Sequence, residues 1–194
     1  MDTNVIKRSR GRPREFELDA AIQVGQHLFH QYGYENVSVA KLTEAIGITA
    51  PSFYTAFGSK SAFFKGALKH YSATVVPLDR FLIPGQSPRI ALGDMLVAAA
   101  HAYAAHPDRR GCFILEHAKA GTTEWGTAAT QIAGENRDRV LSFLKASDVS
   151  EPKRIVDYVA VTMLGLSAAA REGWEEERLI GAAKDSAAGL DHLM

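Results

Sequence analysis

The chain has 194 residues, of which 46% are hydrophobic and 23% charged, with zero formal net charge. That composition supports a packed core of one or two small domains, and a single cysteine excludes an intrachain disulfide and a Cys-rich zinc site. Charge is unevenly placed: residues 1–75 hold nine Lys/Arg against six Asp/Glu, and residues 76–194 hold thirteen against sixteen, so a basic front precedes an acidic remainder, the direction a nucleic-acid-binding front would need. The lone cysteine suits a reducing compartment. No apolar run approaches the roughly 18 residues that span a bilayer. The basic N-terminus lacks the apolar stretch of a secretory signal, and a cytoplasmic location is expected. No fixed-period repeat is present.

Residues 1–14 carry Lys7, Arg8, Arg10, Arg12 and Arg14 against Asp2. With almost nothing apolar to bury, this stretch is predicted to be a disordered tail. Arg10-Gly11-Arg12-Pro13-Arg14 looks like the core of an AT-hook, whose arginines enter a narrow A·T-rich minor groove of high negative potential. Leu18–Tyr32 then reads as an amphipathic helix with Ala21, Val24, Leu28 and Tyr32 at three- and four-residue steps, ended by Gly33.

Ser38 to Lys60 reads as two short helices and the start of a third. The first spans about Val39 to Ala45 with Ser38 as N-cap, Gly47 supplies a turn at positive φ, and the second spans Ala50 to about Ala56 with Thr49 as cap and Pro51 in its first turn. Val37 with Leu42, and Ile48 with Phe53, are the apolar pairs that staple such helix starts. Two capped helices of about two turns around a glycine match the helix-turn-helix that presents its second helix to the DNA major groove. Phe29, Leu42, Ile46, Phe53 and Phe57 are the expected three-helix core. Thr49, Ala50, Ser52, Tyr54 and Thr55 are then left for DNA, with Ser38 and Lys41 on the preceding helix. Ser52 is suited to a base edge or phosphate, and Ala50 or a Thr methyl to a thymine methyl. The second helix has no Arg, Asn or Gln, the usual bidentate base readers, so base specificity is expected to lean on few direct contacts and on DNA shape. Ser59 caps a longer helix to about Phe81, kinked or ended by Pro77. Lys60 in its first turn lies where free N–H groups attract phosphate.

Phe29, Gly33-Tyr34, Ile46-Gly47-Ile48, Tyr54, Phe57, Lys60 and Phe63-Phe64 together resemble the DNA-binding domain of the TetR family of transcriptional regulators, over about sixty residues near the N-terminus. The resemblance implies an all-α chain of about nine helices. A three-helix DNA-binding head (15–75, motif about 38–57) would follow the basic tail (1–14) and precede a larger helical regulatory and dimerisation domain (76–194). It also implies that Tyr54 and Lys60 bind phosphates, that the partner is a near-palindromic double-stranded operator, and that a small-molecule inducer occupies the helical body of a homodimer. Repression is the commonest action in such families.

Beyond the linker at 83–88, helices are predicted from Ser87 to about Ala105, Cys112 to Ala120, about Glu124 to Lys145, a Ser150-capped helix to about Arg171, and Glu175 to Leu193. The first of the last two carries Ile155, Val159, Thr162 and Leu166 together with the small residues Gly165, Ala168, Ala169 and Ala170, and the second carries Leu179, Ile180, Ala183, Ala187 and Leu190. These are the expected dimer contacts, pairing across a two-fold axis. Candidate inducer-lining residues are Phe81, His101, Tyr103, Phe113, His117, Trp125 and Met163. Cys112, at a predicted helix start beside Arg109 and Arg110, is an alternative redox or electrophile sensor, because both features favour thiolate. The seven histidines form only two close pairs, His27 with His30 and His101 with His106, without Cys or carboxylate at ligand spacing. No metal and no cofactor is expected. Enzyme signatures such as G-x-S-x-G, a P-loop, H-E-x-x-H or a dinucleotide fingerprint are lacking, and no enzymatic activity is expected.

Overall fold

The computed structural model describes residues 13–194, with side chains from Leu18 onward. Arg10 and Arg12 of the basic tail lie outside the described residues, and of Arg14 only the backbone is described.

Among the described residues the chain is all-helical, with nine α-helices and two short 3-10 turns. The helices are α1 (Pro13–Tyr32), α2 (Val39–Ile46), α3 (Ala50–Phe57), α4 (Lys60–Thr74), α5 (Pro88–Ala104), α6 (Phe113–Ala118), α7 (Glu124–Ala146), α8 (Pro152–Arg171) and α9 (Glu176–Gly189). The expected all-α class therefore holds. α1 already runs from Pro13, five residues ahead of the expected start at Leu18. Proline at the head of a helix costs nothing there, because its missing N–H would have had no acceptor. α4 stops at Thr74 rather than reaching Phe81. The residue before a proline is pushed out of helical conformation, so Pro77 ends the helix upstream of itself, and Leu78–Arg80 turns as a separate 3-10 segment.

The buried face of α1 differs from the expected one. Ala21, Gly25, Gln26 and Phe29 turn inward, whereas Tyr32 is exposed. Gly25 explains the rotation: a Cβ there would overlap the Phe63 ring of α4, so the missing side chain lets α1 and α4 approach. Gln26 is buried against the same helix and accepts a hydrogen bond from His70 Nδ1 at 3.3 Å.

One continuous apolar core runs from Phe29, Leu42 and Phe53 through Phe64, Leu68 and Phe113 to Leu144, Ile155 and Leu190. Each fully buried ring or aliphatic side chain contributes about 1.5–3 kcal/mol relative to exposure. α5 packs on both α8 and α9, and α7 lies across α4 and α6. α4 thus belongs to two neighbourhoods, touching α1 and α3 of the first helices and α6 and α7 of the later ones.

Candidate nucleic-acid interface

The two short helices meet through local chemistry. Ser38 Oγ accepts the Lys41 N–H at 3.1 Å, and Thr49 Oγ1 accepts the Ser52 N–H at 3.3 Å, each closing a free helix start. Gly47 takes φ 78° and ψ 33°. Its N–H reaches the Thr43 carbonyl at 2.9 Å, and the Ile48 N–H reaches the same carbonyl at 3.0 Å. Only a residue without Cβ adopts that conformation cheaply.

α3 sits on the core through one fully buried ring, Phe53, and a half-buried one, Phe57. Phe53 packs on Phe63 at 5.1 Å and Phe57 on Phe63 at 4.6 Å between ring centroids. The other face is open. Thr49, Ala50, Pro51, Ser52, Tyr54, Thr55 and Ala56 are all exposed, and Tyr54 retains 51% of its surface. Two hydroxyls on this face are pre-oriented by the helix: Thr55 Oγ1 donates to the Pro51 carbonyl at 2.9 Å, and Ser52 Oγ lies 2.9 Å from Thr49 Oγ1.

The helices on either side of α3 in the chain each carry a lysine that rests on an aromatic ring. Lys41 Nζ lies 3.2 Å from the Tyr32 centroid, and Lys60 Nζ 4.1 Å from the Tyr34 centroid. Such contacts hold an ammonium in place without neutralising it. Burial lowers the Lys60 pKa from its ordinary value, partly offset by the nearby Glu35 carboxylate. Ser59 caps α4 by accepting the Ala62 N–H at 3.0 Å, and Lys60 opens that helix. Sequence reading singled out Lys60 but not Tyr34 as its seat; an aromatic at 34 before a lysine at 60 has no local signature.

The described fold sets a small, capped, outward-facing helix between two helices that carry Lys41 and Lys60. Residues 18–67, which contain all of it, match the family model described as "Bacterial regulatory proteins, tetR family". The chain is 33% identical over 184 residues to the HTH-type transcriptional repressor BdcR of Escherichia coli K12, covering 94% of this chain and 93% of that one.

The chain belongs to the TetR family of bacterial regulatory proteins.

It is also 30% identical over 196 residues to the HTH-type transcriptional repressor ComR of the same organism, covering 92% of this chain and 90% of that one. Among solved structures, it resembles a cysteine mutant of the TetR family transcriptional regulator CifR complexed with 26bp double-strand operator DNA. That match has a TM-score of 0.75 and 29% identity, covering 93% of this chain and 98% of the other.

The remaining expected sites fare unevenly within this TetR-family fold. A cavity of about 360 Å³ opens among α4, α5, α6, α7 and α8. Of the seven residues expected to line it, only Tyr103 and Met163 do so. Phe113, His117 and Trp125 instead form an aromatic wall with Tyr34, Phe64 and Tyr71. Centroid separations along it are 5.6 Å for Tyr71–Phe113, 4.7 Å for Phe113–His117, 5.7 Å for His117–Trp125 and 5.4 Å for Trp125–Tyr34. His117 Nδ1 donates to the Phe113 carbonyl at 2.9 Å, and burial lowers its pKa. His101 lies on the outer α5–α9 groove, 2.7 Å from Glu176 Oε1. Phe81 packs half-buried just beyond the 3-10 turn.

Cys112 also departs from expectation. It is buried, and burial pushes its thiol up rather than down. Arg110 is turned elsewhere: its guanidinium donates to the Ala170 carbonyl at 2.7 Å and to the Trp174 carbonyl, closing the end of α8. Cys112 does stand at the start of α6, as expected, but burial outweighs the helix-start N–H groups that would favour thiolate.

Six of the nine expected dimer residues, Ile155, Val159, Leu166, Leu179, Ala183 and Leu190, are buried within the chain itself. Thr162, Ile180 and Ala187 are half-buried. The outward stripe of α8 keeps the expected small residues Gly165 and Ala168, both exposed, but its larger members are Val161 at 67% exposure and Leu164 at 45%. This spacing was visible in the sequence, but α8 carries apolar residues on both faces and the inner stripe is the more hydrophobic. Among the described residues no cluster of three or more metal-ligating side chains occurs, and no helix is long and apolar enough to cross a membrane.

Proposed function

We propose that this chain is a dimeric, operator-binding transcriptional repressor released by a small molecule. The observation that carries this is the exposed α3 face, capped by Thr49, anchored beneath by Phe53 and flanked by Lys41 and Lys60. α3 enters the major groove, with Ala50, Ser52 and Thr55 towards the bases. Tyr54, Lys60 and the α2 residues Ser38 and Lys41 contact phosphates, which position the protein but carry little sequence information. The basic tail, with Arg10, Arg12 and Arg14, adds minor-groove or phosphate contacts.

In this reading α1 to α4 form the DNA-binding unit up to about residue 75, and the later helices form the regulatory unit. Two copies pair through the outward stripe of Val161, Leu164, Gly165 and Ala168, whose small residues allow close approach. A two-fold dimer matches two half-sites one helical turn apart. The cavity holds the inducer, and its occupancy biases the spacing of the two α3 helices only through differential affinity for the two arrangements. Support for coupling is the unbroken aromatic wall from Tyr71 to Tyr34, which ends at Lys60. Such a regulator works in the cytoplasm, where its operator is, and has no catalytic role.

A gel shift with duplexes tiling the DNA upstream of the chain's own gene tests the proposal. One duplex bound much more tightly than unrelated DNA of equal length is the expected result. Equal affinity for every duplex at physiological salt would refute it.

A further inference from the structure

The inner end of the cavity has an unusual chemistry. Tyr71, only 5% exposed, lines it, and its hydroxyl meets no acceptor at good hydrogen-bond geometry, only the weakly accepting thiol of Cys112 beside it. A buried hydroxyl left unpaired forfeits the water it gave up, a cost avoided only when something else accepts its proton. Tyr103 and Cys112 line the same end. The Tyr103 hydroxyl reaches the Met163 sulfur at 4.0 Å and faces the Cys112 thiol, both weak acceptors. The rest of the inner wall is apolar, with Met95, Val156 and Val159. Among the other polar side chains of the lining, Asn136 pairs with Ser72 at 3.3 Å, Lys119 pairs with Glu116 at 2.8 Å, and Arg137 is exposed.

Burial holds all three inner groups in their neutral forms, raising the pKa of Tyr71, Tyr103 and Cys112 alike. The lining's two cations, Lys119 and Arg137, are exposed rather than buried beside Tyr71, so a carboxylate seated against the Tyr71 hydroxyl would be buried without a counter-charge. A hydrocarbon would fill the volume but leave Tyr71 unpaired.

The geometry points to a ligand class: the cavity takes a neutral, largely apolar molecule carrying one hydrogen-bond-accepting oxygen of the carbonyl type, which receives the Tyr71 proton. This rests on the cavity being the inducer site and names the chemistry it selects.

Binding to the full-length chain without DNA tests it, with three probes of one shape: 2-acetylnaphthalene, 2-ethylnaphthalene and 2-naphthoate. The ketone should bind roughly three- to tenfold more tightly than the hydrocarbon, the worth of one good neutral hydrogen bond, and the carboxylate more weakly than either. Tyr71→Phe, which removes one oxygen and keeps the ring, should erase the ketone's advantage and leave the hydrocarbon's affinity unchanged. The proposal is overturned if the carboxylate binds as well as the ketone, if Tyr71→Phe keeps the preference, or if wild type binds none of the three. Operator release is measured separately by adding 2-acetylnaphthalene to the protein–DNA complex. Binding at Tyr71 without release would sink the inducer reading and leave the ligand class standing. Release by a molecule whose affinity ignores Tyr71→Phe would do the reverse.

Discussion

The Tyr34 ring lies nearly parallel to the Trp125 indole, with centroids 5.4 Å apart and planes 23° from coplanar. Tyr34 precedes the helix-turn-helix and seats Lys60, while Trp125 opens α7. Beside them Ser61 Oγ donates to Glu124 Oε1 at 2.7 Å. This is where the first four helices are fastened to the rest. A double-mutant cycle with Tyr34→Leu and Trp125→Leu should return a coupling of about 0.5–1.5 kcal/mol in urea unfolding, the worth of an aromatic pair beyond its burial. A coupling near zero would mean that the rings merely share a surface.

Lys60→Ala removes a phosphate contact that reads no base. Operator and non-operator affinities should fall together, and the slope of log affinity against log salt should shrink by about one. Loss confined to the operator would assign Lys60 a base instead.

Val161→Glu places a charge on the outward stripe of α8. Exposed substitutions usually change stability by no more than about 0.5 kcal/mol, so the fold should persist. Light scattering should then report a monomer, with operator affinity lost in parallel. A persistent dimer would move the interface away from α8.

His30 is buried with its Nε2 unpartnered, and its pKa falls from the ordinary 6.5 to about 3, chiefly through burial, with the Arg171 and His117 charges adding to it. The unfolded chain therefore takes up a proton that the folded chain refuses. Its contribution is whole above about pH 6.5 and declines as pH falls towards 3, at up to about 1.4 kcal/mol per pH unit. Urea melts at pH 7.5 and 5.0 should show a smaller acid loss in His30→Leu than in wild type. Equal losses would show that other groups govern the acid limb.

How far the sequence could be read depends on the range of the forces involved. The α2–turn–α3 unit was legible because Ser38, Gly47, Thr49 and Pro51 act within one turn of themselves. The buried face of α1 was not, since Gly25 and Gln26 earn their inward positions from an absent side chain and a hydrogen bond to His70, neither of which has a hydrophobic period. Aromatic residues such as Phe113 and Trp125 suit a pocket wall and a packed wall equally. Which of the two they join depends on five helices closing around a space many residues away. The inward stripe of α8 has the same origin, because two apolar faces compete and only tertiary packing selects the inner one.

In the proposed complex α3 lies in the major groove, and Ala50→Glu tests that placement with fold and binding separated. An acid in the first turn of a helix is favoured by the helix dipole, so the melting temperature should hold or rise slightly. The same charge facing DNA is repelled, at a cost of several kcal/mol where like charges are brought together. Fluorescence anisotropy with the operator duplex should show affinity weakened by roughly a hundredfold or more. Wild-type affinity in a normally folded Ala50→Glu protein would contradict the account.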